Sequence, residues 1–298
     1  MRLVTYEADR SWRAGILLGD VVVDTATAAQ RAGLDGSPDG ALDWTCNRVA
    51  IQADESGLGA LLAAASELAA DAPGLAELRL GPPITDPDKI LCMGLNYRDH
   101  AEEAGLELPS VPLFFAKFRN SLIGPADEIE LPAASDKIDY EAELAVVIGR
   151  RCRDVAPHEA LDCVAGAMAF NDVSARDLQG QSSQWTMGKA IDTFAPCGPA
   201  LVLRDEIPDL QALGIRTRVN GKTLQDANTS LMVFGVAEAI AFLTRVMTLE
   251  PGDIIATGTP AGVGMARKPR VWLRDGDTVE VEIDGIGTLR NPVRGASS

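Results

Sequence analysis

Two carboxylates lie inside the most strand-like run of the sequence, the segment from Asp139 to Gly149, DYEAELAVVIG. Side chains alternate faces along a strand, so Glu141 and Glu143 point the same way, and the apolar residues after them predict that the strand enters a core. Like charges this close repel strongly away from water, so either one acid binds a proton or a cation lies between them. The alternative is the solvated face of an edge strand, where acids need no such partner.

A third acid favours the cation. Asp172 ends another apolar run, VAGAMAFND, where a strand would again deliver a carboxylate to the edge of a sheet. Three carboxylates and water are the hard oxygen ligands that Mg²⁺ and Mn²⁺ prefer. The chain has only two histidines, far apart in sequence, which rules out a multi-histidine metal centre. Glu141, Glu143 and Asp172 are therefore predicted to hold Mg²⁺ or Mn²⁺.

The charge and composition exclude several classes of protein. With 43 acidic and 27 basic side chains the net charge is −16, and no Lys/Arg cluster stands out, so we expect no nucleic-acid partner. The apolar stretches are far shorter than the roughly 20 residues of a membrane span, and the start of the chain lacks the apolar core of a signal peptide. The five scattered cysteines contain no C-x-x-C pair, which favours buried thiols over disulfides or a zinc site. We expect a cytoplasmic protein without membrane contact.

The chain divides into two regions of different texture. Residues 1–80 are predicted to form a small N-terminal domain, with short strands and an Ala/Leu-rich helix from about Gly57 to Ala70. Residues 84–298 contain short β-branched runs broken by Gly and Pro, and their clearest amphipathic helix spans Val233 to Leu249. The pattern predicts an α+β protein that is mainly β, with the larger domain over residues 84–298.

Ionisable side chains follow the first strand of the larger region. A predicted helix that ends at Gly105 places His100 and Glu103 on one face, three residues apart, where they can act as a base and the group that orients it. The alternative is an incidental pair on a solvated helix. Lys117 lies between phenylalanines in FFAKF, where it either extends to the surface or holds an anion in a pocket.

Further hydrogen-bond donors follow later in the chain. Arg176 and Gln179 are three residues apart on a predicted turn of helix, Lys189 follows a glycine, and the segment TGTPAG adds Thr259 beside backbone N–H groups. These side chains suit substrate clamps, and the alternative is surface ion pairs of an acidic chain. The sequence contains no phosphate-binding or dinucleotide glycine motif and no G-x-S-x-G elbow, so neither a nucleotide nor a serine nucleophile is predicted.

Six segments, in this order, resemble the fumarylacetoacetate hydrolase family: NYRDHAEE, DYEAELAVVIG, FNDVSARDLQ, WTMGKAIDTFAPCGP, VNGKTLQDANTS and GDIIATGTPAGVG. The resemblance runs from about Ile84 to Val293. It implies a mixed β-roll catalytic domain behind a small variable N-terminal domain, and a homodimer. These features follow from the resemblance and not from residue spacing.

The same resemblance implies roles for individual residues. The motifs Y-E-x-E-L and N-D supply the metal ligands, here Glu141, Glu143 and Asp172. The residues implied for catalysis are His100 and Glu103 on a lid, Gln179 and Lys189. The residues expected to bind substrate are Arg176 and Thr259, to which Lys117 is added from its position in an apolar strand.

The implied substrate is a small anionic 2-oxo acid that reacts through an enolate. We predict hydrolysis of a C–C bond in an acylpyruvate or 2,4-dioxo acid, with His100 activating water. Decarboxylation of an oxaloacetate-type acid and isomerisation of a 2-hydroxy-diene-dioate use the same enolate and stay open. A metal-binding protein without catalysis is the alternative from another class.

Overall fold

The computed structural model describes residues 1–34 and 42–296 of the chain. Its strands are β1 (Arg2–Ala8), β2 (Ser11–Leu18), β3 (Val21–Asp24), β4 (Leu80–Gly81), β5 (Ile90–Gly94), β6 (Leu113–Lys117), β7 (Leu122–Ile123), β8 (Ile129–Glu130), β9 (Ile138–Asp139), β10 (Ala142–Ile148), β11 (Val164–Asn171), β12 (Ser174–Ala175), β13 (Ala195–Leu203), β14 (Gly214–Val219), β15 (Lys222–Asn228), β16 (Ile254–Ala256), β17 (Thr278–Ile283) and β18 (Gly287–Arg294). Its helices are α1 (Thr25–Arg31), α2 (Asn47–Ala50), α3 (Glu55–Leu68), α4 (Arg98–Ala104), α5 (Arg176–Gln179), α6 (Thr186–Lys189) and α7 (Val236–Thr244). More residues lie in strands than in helices, as the α+β, mainly β prediction requires.

The strands form one large sheet and two smaller ones. The large sheet has the order β3-β2-β1-β13-β11-β10-β16-β5-β6, with β4 added beside β1 and β7 beside β13. The second sheet has the order β15-β14-β17-β18-β8, and β12 pairs with β9. Most pairs are antiparallel, but β16 and β5 are parallel, so the large sheet is mixed.

Strand β10 lies within the large sheet and is buried along its full length. On one face, Leu144 and Val146 pack in a core that includes Ile215 of the second sheet and residues of α7. On the other face, Ala145 and Val147 pack in a core that includes residues of α1 and α3. A strand covered on both faces needs apolar side chains at every position, which explains the unbroken run after Glu143.

The N-terminal strands belong to the same sheet as the predicted catalytic region. Strand β1 pairs antiparallel with β13, with Arg2 opposite Val202 and Leu3 opposite Leu201. The sheet therefore continues across the boundary predicted near residue 80. The division into domains 1–80 and 84–298 stays a prediction.

Helix α7 is shorter than the amphipathic helix predicted over Val233–Leu249. It begins after Phe234, whose N–H donates to Asn96 Oδ1 at 2.9 Å. It ends before Leu249, whose backbone joins a β-bridge instead. Long-range hydrogen bonds thus satisfy the backbone at both ends and override the helical pattern there.

The cysteines and the lengths of the helices can be compared with the sequence within the described residues. All five cysteines are free thiols, and Cys92, Cys152, Cys163 and Cys197 are buried. Within residues 1–34 and 42–296, no helix has the length and apolar character needed to cross a membrane.

Candidate active site

The three acids predicted as metal ligands meet where β10 begins and β11 ends. These strands are antiparallel neighbours, and the N–H of Asp172 donates to the backbone oxygen of Glu141 at 2.9 Å. One carboxylate oxygen from each of Glu141, Glu143 and Asp172 lies within 4.8 Å of the others, and the residues are 4%, 1% and 0% exposed. The alternative of a solvated edge strand is therefore excluded.

Three cations neutralise most of this cluster. Lys189 Nζ donates to Glu141 Oε2 at 2.7 Å and to Asp172 Oδ2 at 2.5 Å. Lys117 Nζ lies 2.5 Å from Asp172 Oδ1, and Arg176 Nη2 lies 2.6 Å from Glu141 Oε1. All three cationic side chains are buried, so the alternative of exposed surface ion pairs is wrong for them.

These charges shift the two glutamates in opposite directions. Burial alone raises the pKa of Glu141, but Arg176 and Lys189 outweigh burial and hold this pKa far below its usual value. Burial, followed by the charges of Asp172 and Glu141, raises the pKa of Glu143 well above its usual value. The difference arises because Glu143 has no salt-bridge partner in the described part of the chain and accepts only a backbone N–H from the loop after β16.

That backbone N–H belongs to Gly258, which lies 2.8 Å from Glu143 Oε2. Gly258 has a φ of +96°, and a Cβ there would lie 2.8 Å from the Cβ of Asn96. Asn96 in turn donates from Nδ2 to the carbonyl of Thr257 at 2.7 Å. A glycine is therefore required where the loop turns its N–H toward the carboxylate.

Asp139 is a fourth buried acid, and the sequence analysis gave it no role. Its Oδ2 accepts from Arg176 Nε at 2.9 Å, and its Oδ1 accepts from the N–H of Gly264 at 2.6 Å. Asp139 thus fixes the guanidinium that pairs with Glu141 and ties a distant loop to this strand. Asp139 lies two residues before Glu141, so in an extended chain its side chain points to the same side as Glu141 and Glu143. This spacing is the sequence signal that could have identified Asp139 as a member of the acidic cluster.

The donor set fits a divalent cation. When all are ionised, four buried carboxylates around the cluster face three cations, so one negative charge is left without an opposite charge. The three oxygen donors of Glu141, Glu143 and Asp172 are the hard ligands that Mg²⁺ and Mn²⁺ prefer. A cation beside Glu143 would also remove the repulsion that raises its pKa.

A cavity of about 310 Å³ opens over the acidic cluster. Part of its wall is apolar and includes Phe115 and Trp185, whose rings meet edge to face with centroids 5.4 Å apart. The predicted site residues in its lining are His100, Glu141, Glu143, Arg176, Gln179, Lys189 and Thr259. Glu103, Lys117 and Asp172 are near this cavity but not among its lining residues.

Two of the predicted substrate-binding residues are engaged with protein groups. Lys117 is fully buried, pairs with Asp172 and donates to a backbone carbonyl, so its position favours support of that acid over contact with substrate. Arg176 reaches the cavity, but its guanidinium contacts Asp139, Glu141 and the Oε1 of Gln179, the last at 3.1 Å. Arg176 and Gln179 lie on one turn of helix, α5, as their spacing predicted.

Helix α4 carries His100 and Glu103 beside the cavity. It ends at Gly105, which has a φ of +67°, as the sequence predicted. Glu103 Oε2 lies 3.9 Å from His100 Nδ1, beyond hydrogen-bond distance, and accepts from the N–H of Gly262 at 2.9 Å. Glu103 therefore connects α4 to the loop after β16 in this structure.

Comparison with known proteins identifies the family. Residues 89–294 match the family described as fumarylacetoacetate (FAA) hydrolase C-terminal. The chain belongs to the fumarylacetoacetate hydrolase family. This agrees with the resemblance carried by the six sequence segments, and the chain is accordingly an enzyme of this family.

Relatives within the family carry out several reactions. The chain is 44% identical over 257 residues to human oxaloacetate tautomerase FAHD2A, mitochondrial, a match that covers 85% of this chain and 82% of that one. It is similar to the solved structure of a fumarylacetoacetate hydrolase from Exiguobacterium antarcticum, with a TM-score of 0.80, 35% identity and coverage of 99% and 100% of the two chains. A 2-hydroxyhepta-2,4-diene-1,7-dioate isomerase from Mycobacterium marinum gives a TM-score of 0.76, 35% identity and full coverage of both chains.

Proposed function

We propose that this protein is a divalent-metal-dependent tautomerase that interconverts the keto and enol forms of a small 2-oxo diacid of the oxaloacetate type. The observation that carries the proposal is the state of His100 in the cavity lining. His100 lines the cavity and its imidazole makes no hydrogen bond among the described residues, whereas the lining cations Arg176 and Lys189 are paired with acids. The imidazole is therefore the lining group best placed to accept and return a proton.

The metal site is proposed to consist of Glu141, Glu143 and Asp172. When bound there, Mg²⁺ or Mn²⁺ would supply the positive charge that stabilises an enolate oxygen.

The proton transfer itself needs only one base. His100 takes a proton from C3 of the keto acid, the C2–C3 bond becomes double, and the imidazolium returns that proton to the C2 oxygen to give the enol. The reverse sequence returns the keto form, so no atom is gained or lost. Lys189, buried between two acids, is placed to stabilise negative charge that develops beside them.

Charge and size favour a small anion as the substrate. The buried cluster, when fully ionised, has one excess negative charge. A bound divalent cation would therefore leave one excess positive charge in a site of low dielectric constant, where it attracts an anion strongly. A cavity of about 310 Å³ is at the small end of ligand sites. The similarity to an oxaloacetate tautomerase over 85% of the chain supports an acid of that size.

Hydrolysis of an acylpyruvate or 2,4-dioxo acid is the second candidate. It is favoured by the proximity of His100 and Glu103, because an acid beside an imidazole orients it to activate water. We rank it second because these groups are 3.9 Å apart and Glu103 is engaged with Gly262.

We also propose a homodimer, as the resemblance implies. Exposed apolar side chains lie on the last strand of the large sheet, β6, directly after it and on the neighbouring α6; they are Leu113, Phe118 and Met187. Exposed apolar groups along a sheet edge are typical of a protein contact surface.

The test is a substrate panel with Mn²⁺, in which oxaloacetate tautomerisation is followed by enol absorbance and acylpyruvate cleavage by pyruvate release. We expect rapid tautomerisation, which His100→Ala slows by roughly a hundredfold or more, the usual contribution of a general base, while Mn²⁺ binding is kept. His158→Ala is the matched control, because this exposed histidine is remote in sequence and should leave the rate unchanged. Pyruvate release from an acylpyruvate without tautomerisation would establish the hydrolase, and CO₂ release from oxaloacetate would establish a decarboxylase.

A further inference from the structure

Gln225 is a buried amide on β15 that contacts the cavity residue Thr259. Its Nε2 donates to Thr259 Oγ1 at 2.8 Å and to the carbonyl of Pro260 at 2.9 Å. Its Oε1 accepts from the N–H of Ala142 at 3.0 Å and from Thr217 Oγ1 at 2.6 Å. Both N–H groups and both lone pairs of the amide are therefore used.

Two backbone groups fix which end of the amide faces Thr259. The N–H of Ala142 can only donate, and the carbonyl of Pro260 can only accept. A flipped amide would place its NH₂ against that N–H and its oxygen against that carbonyl, which makes two repulsive contacts. The orientation of Gln225 is therefore set by the main chain on both sides.

This orientation determines the role of the Thr259 hydroxyl. Its oxygen faces an N–H and must accept, so its own hydrogen is left to donate elsewhere. Among the described residues, no protein acceptor receives that hydrogen, and Thr259 lines the cavity. We propose that Gln225 is a positioning residue that fixes the Thr259 hydroxyl as a hydrogen-bond donor toward the substrate.

The consequence is a preference for an acceptor oxygen at this place, which rests on the proposed function of binding a 2-oxo acid. A freely rotating hydroxyl serves donors and acceptors alike, whereas a fixed donor favours a carboxylate or keto oxygen. Thr259 supplies this contact without adding another buried charge to a cluster that already contains Arg176 and Lys189.

The first test removes the amide. In Gln225→Met we expect the KM for oxaloacetate to rise on the order of tenfold, the usual effect of a lost hydrogen bond to a charged group, with a smaller change in kcat and no change in Mn²⁺ affinity. Thr259→Val should show the same increase. Because Gln225 acts on the substrate only through the Thr259 hydroxyl, adding Gln225→Met to Thr259→Val should raise KM no further.

Thr217→Val is the matched control. It removes another hydrogen bond to the same amide, but the N–H of Ala142 and the carbonyl of Pro260 still hold the orientation. We expect a loss of stability in urea with an unchanged KM. An equal rise in KM in Thr217→Val, or a full effect of Gln225→Met in the Thr259→Val background, would overturn the proposal in favour of a purely structural role.

A second readout separates this proposal from the proposed function. Oxalate, a small unreactive dicarboxylate, is titrated calorimetrically into the Mn²⁺-loaded protein and its variants. Weaker oxalate binding by about tenfold in Gln225→Met, with no turnover of any 2-oxo acid by the parent, would reject the tautomerase and keep the role of Gln225. Equal oxalate binding by parent and variant, or none by the parent, would overturn the role of Gln225.

Should Gln225→Met fail to fold, Gln225→Glu gives the same answer. A carboxylate still accepts from Ala142 and Thr217 but cannot donate to Thr259, whose hydroxyl then turns toward it. We expect at least a tenfold weakening of oxalate binding, because the added negative charge also repels the dianion, and an unchanged affinity in folded Gln225→Glu would overturn the proposal.

Discussion

Ionised Glu143 destabilises the protein for as long as no cation lies beside it. Its carboxylate is buried, faces Asp172 and Glu141, and receives one backbone N–H as compensation. Removing this charge and binding a metal ion both relieve the same repulsion. Removing the charge also takes away a metal ligand, so it should lower the affinity for the metal.

We therefore expect Glu143→Gln to unfold at a higher temperature than the parent in EDTA, since an amide keeps the acceptor for Gly258 and removes the repulsion. Saturating Mn²⁺ should reverse the order. At a hundred times its Kd a ligand adds about 2.7 kcal/mol to the stability of the parent, and the variant, with one ligand charge removed, gains less. Thermal unfolding with and without Mn²⁺ measures both effects. Glu77→Gln, at an exposed position, is the control, and an equal Mn²⁺ effect in parent and Glu143→Gln would contradict a ligand role for Glu143.

Residue spacing could predict the acids but not their partners. Glu141 and Glu143 alternate on one strand, so local geometry alone placed them together. Gln225 carries no such local signal, because its contacts with Thr259 depend on how distant segments pack. Lys117 shows the same limit, since the sequence allowed a surface or a pocket and the structure pairs it with buried Asp172.

At the scale of elements, α4, which carries His100, is hydrogen-bonded to the rest of the protein both before its first residue and near its last. Before the helix, Asn96 donates to backbone carbonyls of Phe234 and Thr257. Near its end, Glu103 accepts from the N–H of Gly262, whose φ of +103° and close approach to Leu224 exclude a side chain. A substitution of Glu103 can therefore weaken the contact near the end of α4 and leave the hydrogen bonds of Asn96 before the helix unchanged.

We expect Glu103→Gln to lower kcat by about tenfold, because the loss of charge weakens the contact with Gly262 that holds α4, and with it His100, beside the cavity. Mn²⁺ affinity should not change. Hydrogen exchange at the Gly262 amide should be faster, which reports the loosened contact directly. Glu102→Gln, the exposed neighbour, is the matched control. Slow exchange in Glu103→Gln together with reduced kcat would mean that Glu103 acts on His100 alone.

Sequence patterns predict an element correctly where neighbouring residues alone determine its backbone conformation and hydrogen bonds. The Asn220-Gly221 pair, with φ values of +51° and +76°, forms the turn between β14 and β15, and Asn-Gly is a residue pair that favours such two-residue turns. Helix α7 was predicted too long because Asn96, from another part of the chain, takes the backbone N–H of Phe234. The error lies where tertiary hydrogen bonds compete with a helical pattern.

At the scale of the whole molecule, the order of strands in the large sheet was beyond sequence reasoning. Apolar runs in the sequence mark the strands themselves. No local pattern, however, shows that Leu3 pairs with Leu201, which is far from it in the sequence. The core on one face of β10 likewise combines Ala145 and Val147 with Leu61 of α3. The N-terminal region therefore covers the sheet that carries the acidic cluster.

This arrangement makes a truncation informative. We expect a chain of residues 84–298 alone to aggregate or to lack a cooperative unfolding transition, because loss of β1 exposes the edge of β13 and uncovers the core that contains Ala145 and Val147. Coexpression of residues 1–83 as a separate chain should restore a soluble complex that binds Mn²⁺, since the missing strand and helices are then supplied in trans. Light scattering, thermal unfolding and Mn²⁺ titration measure these outcomes. A truncated chain that is monodisperse, unfolds cooperatively and binds Mn²⁺ like the parent would instead show that residues 84–298 fold as an autonomous domain.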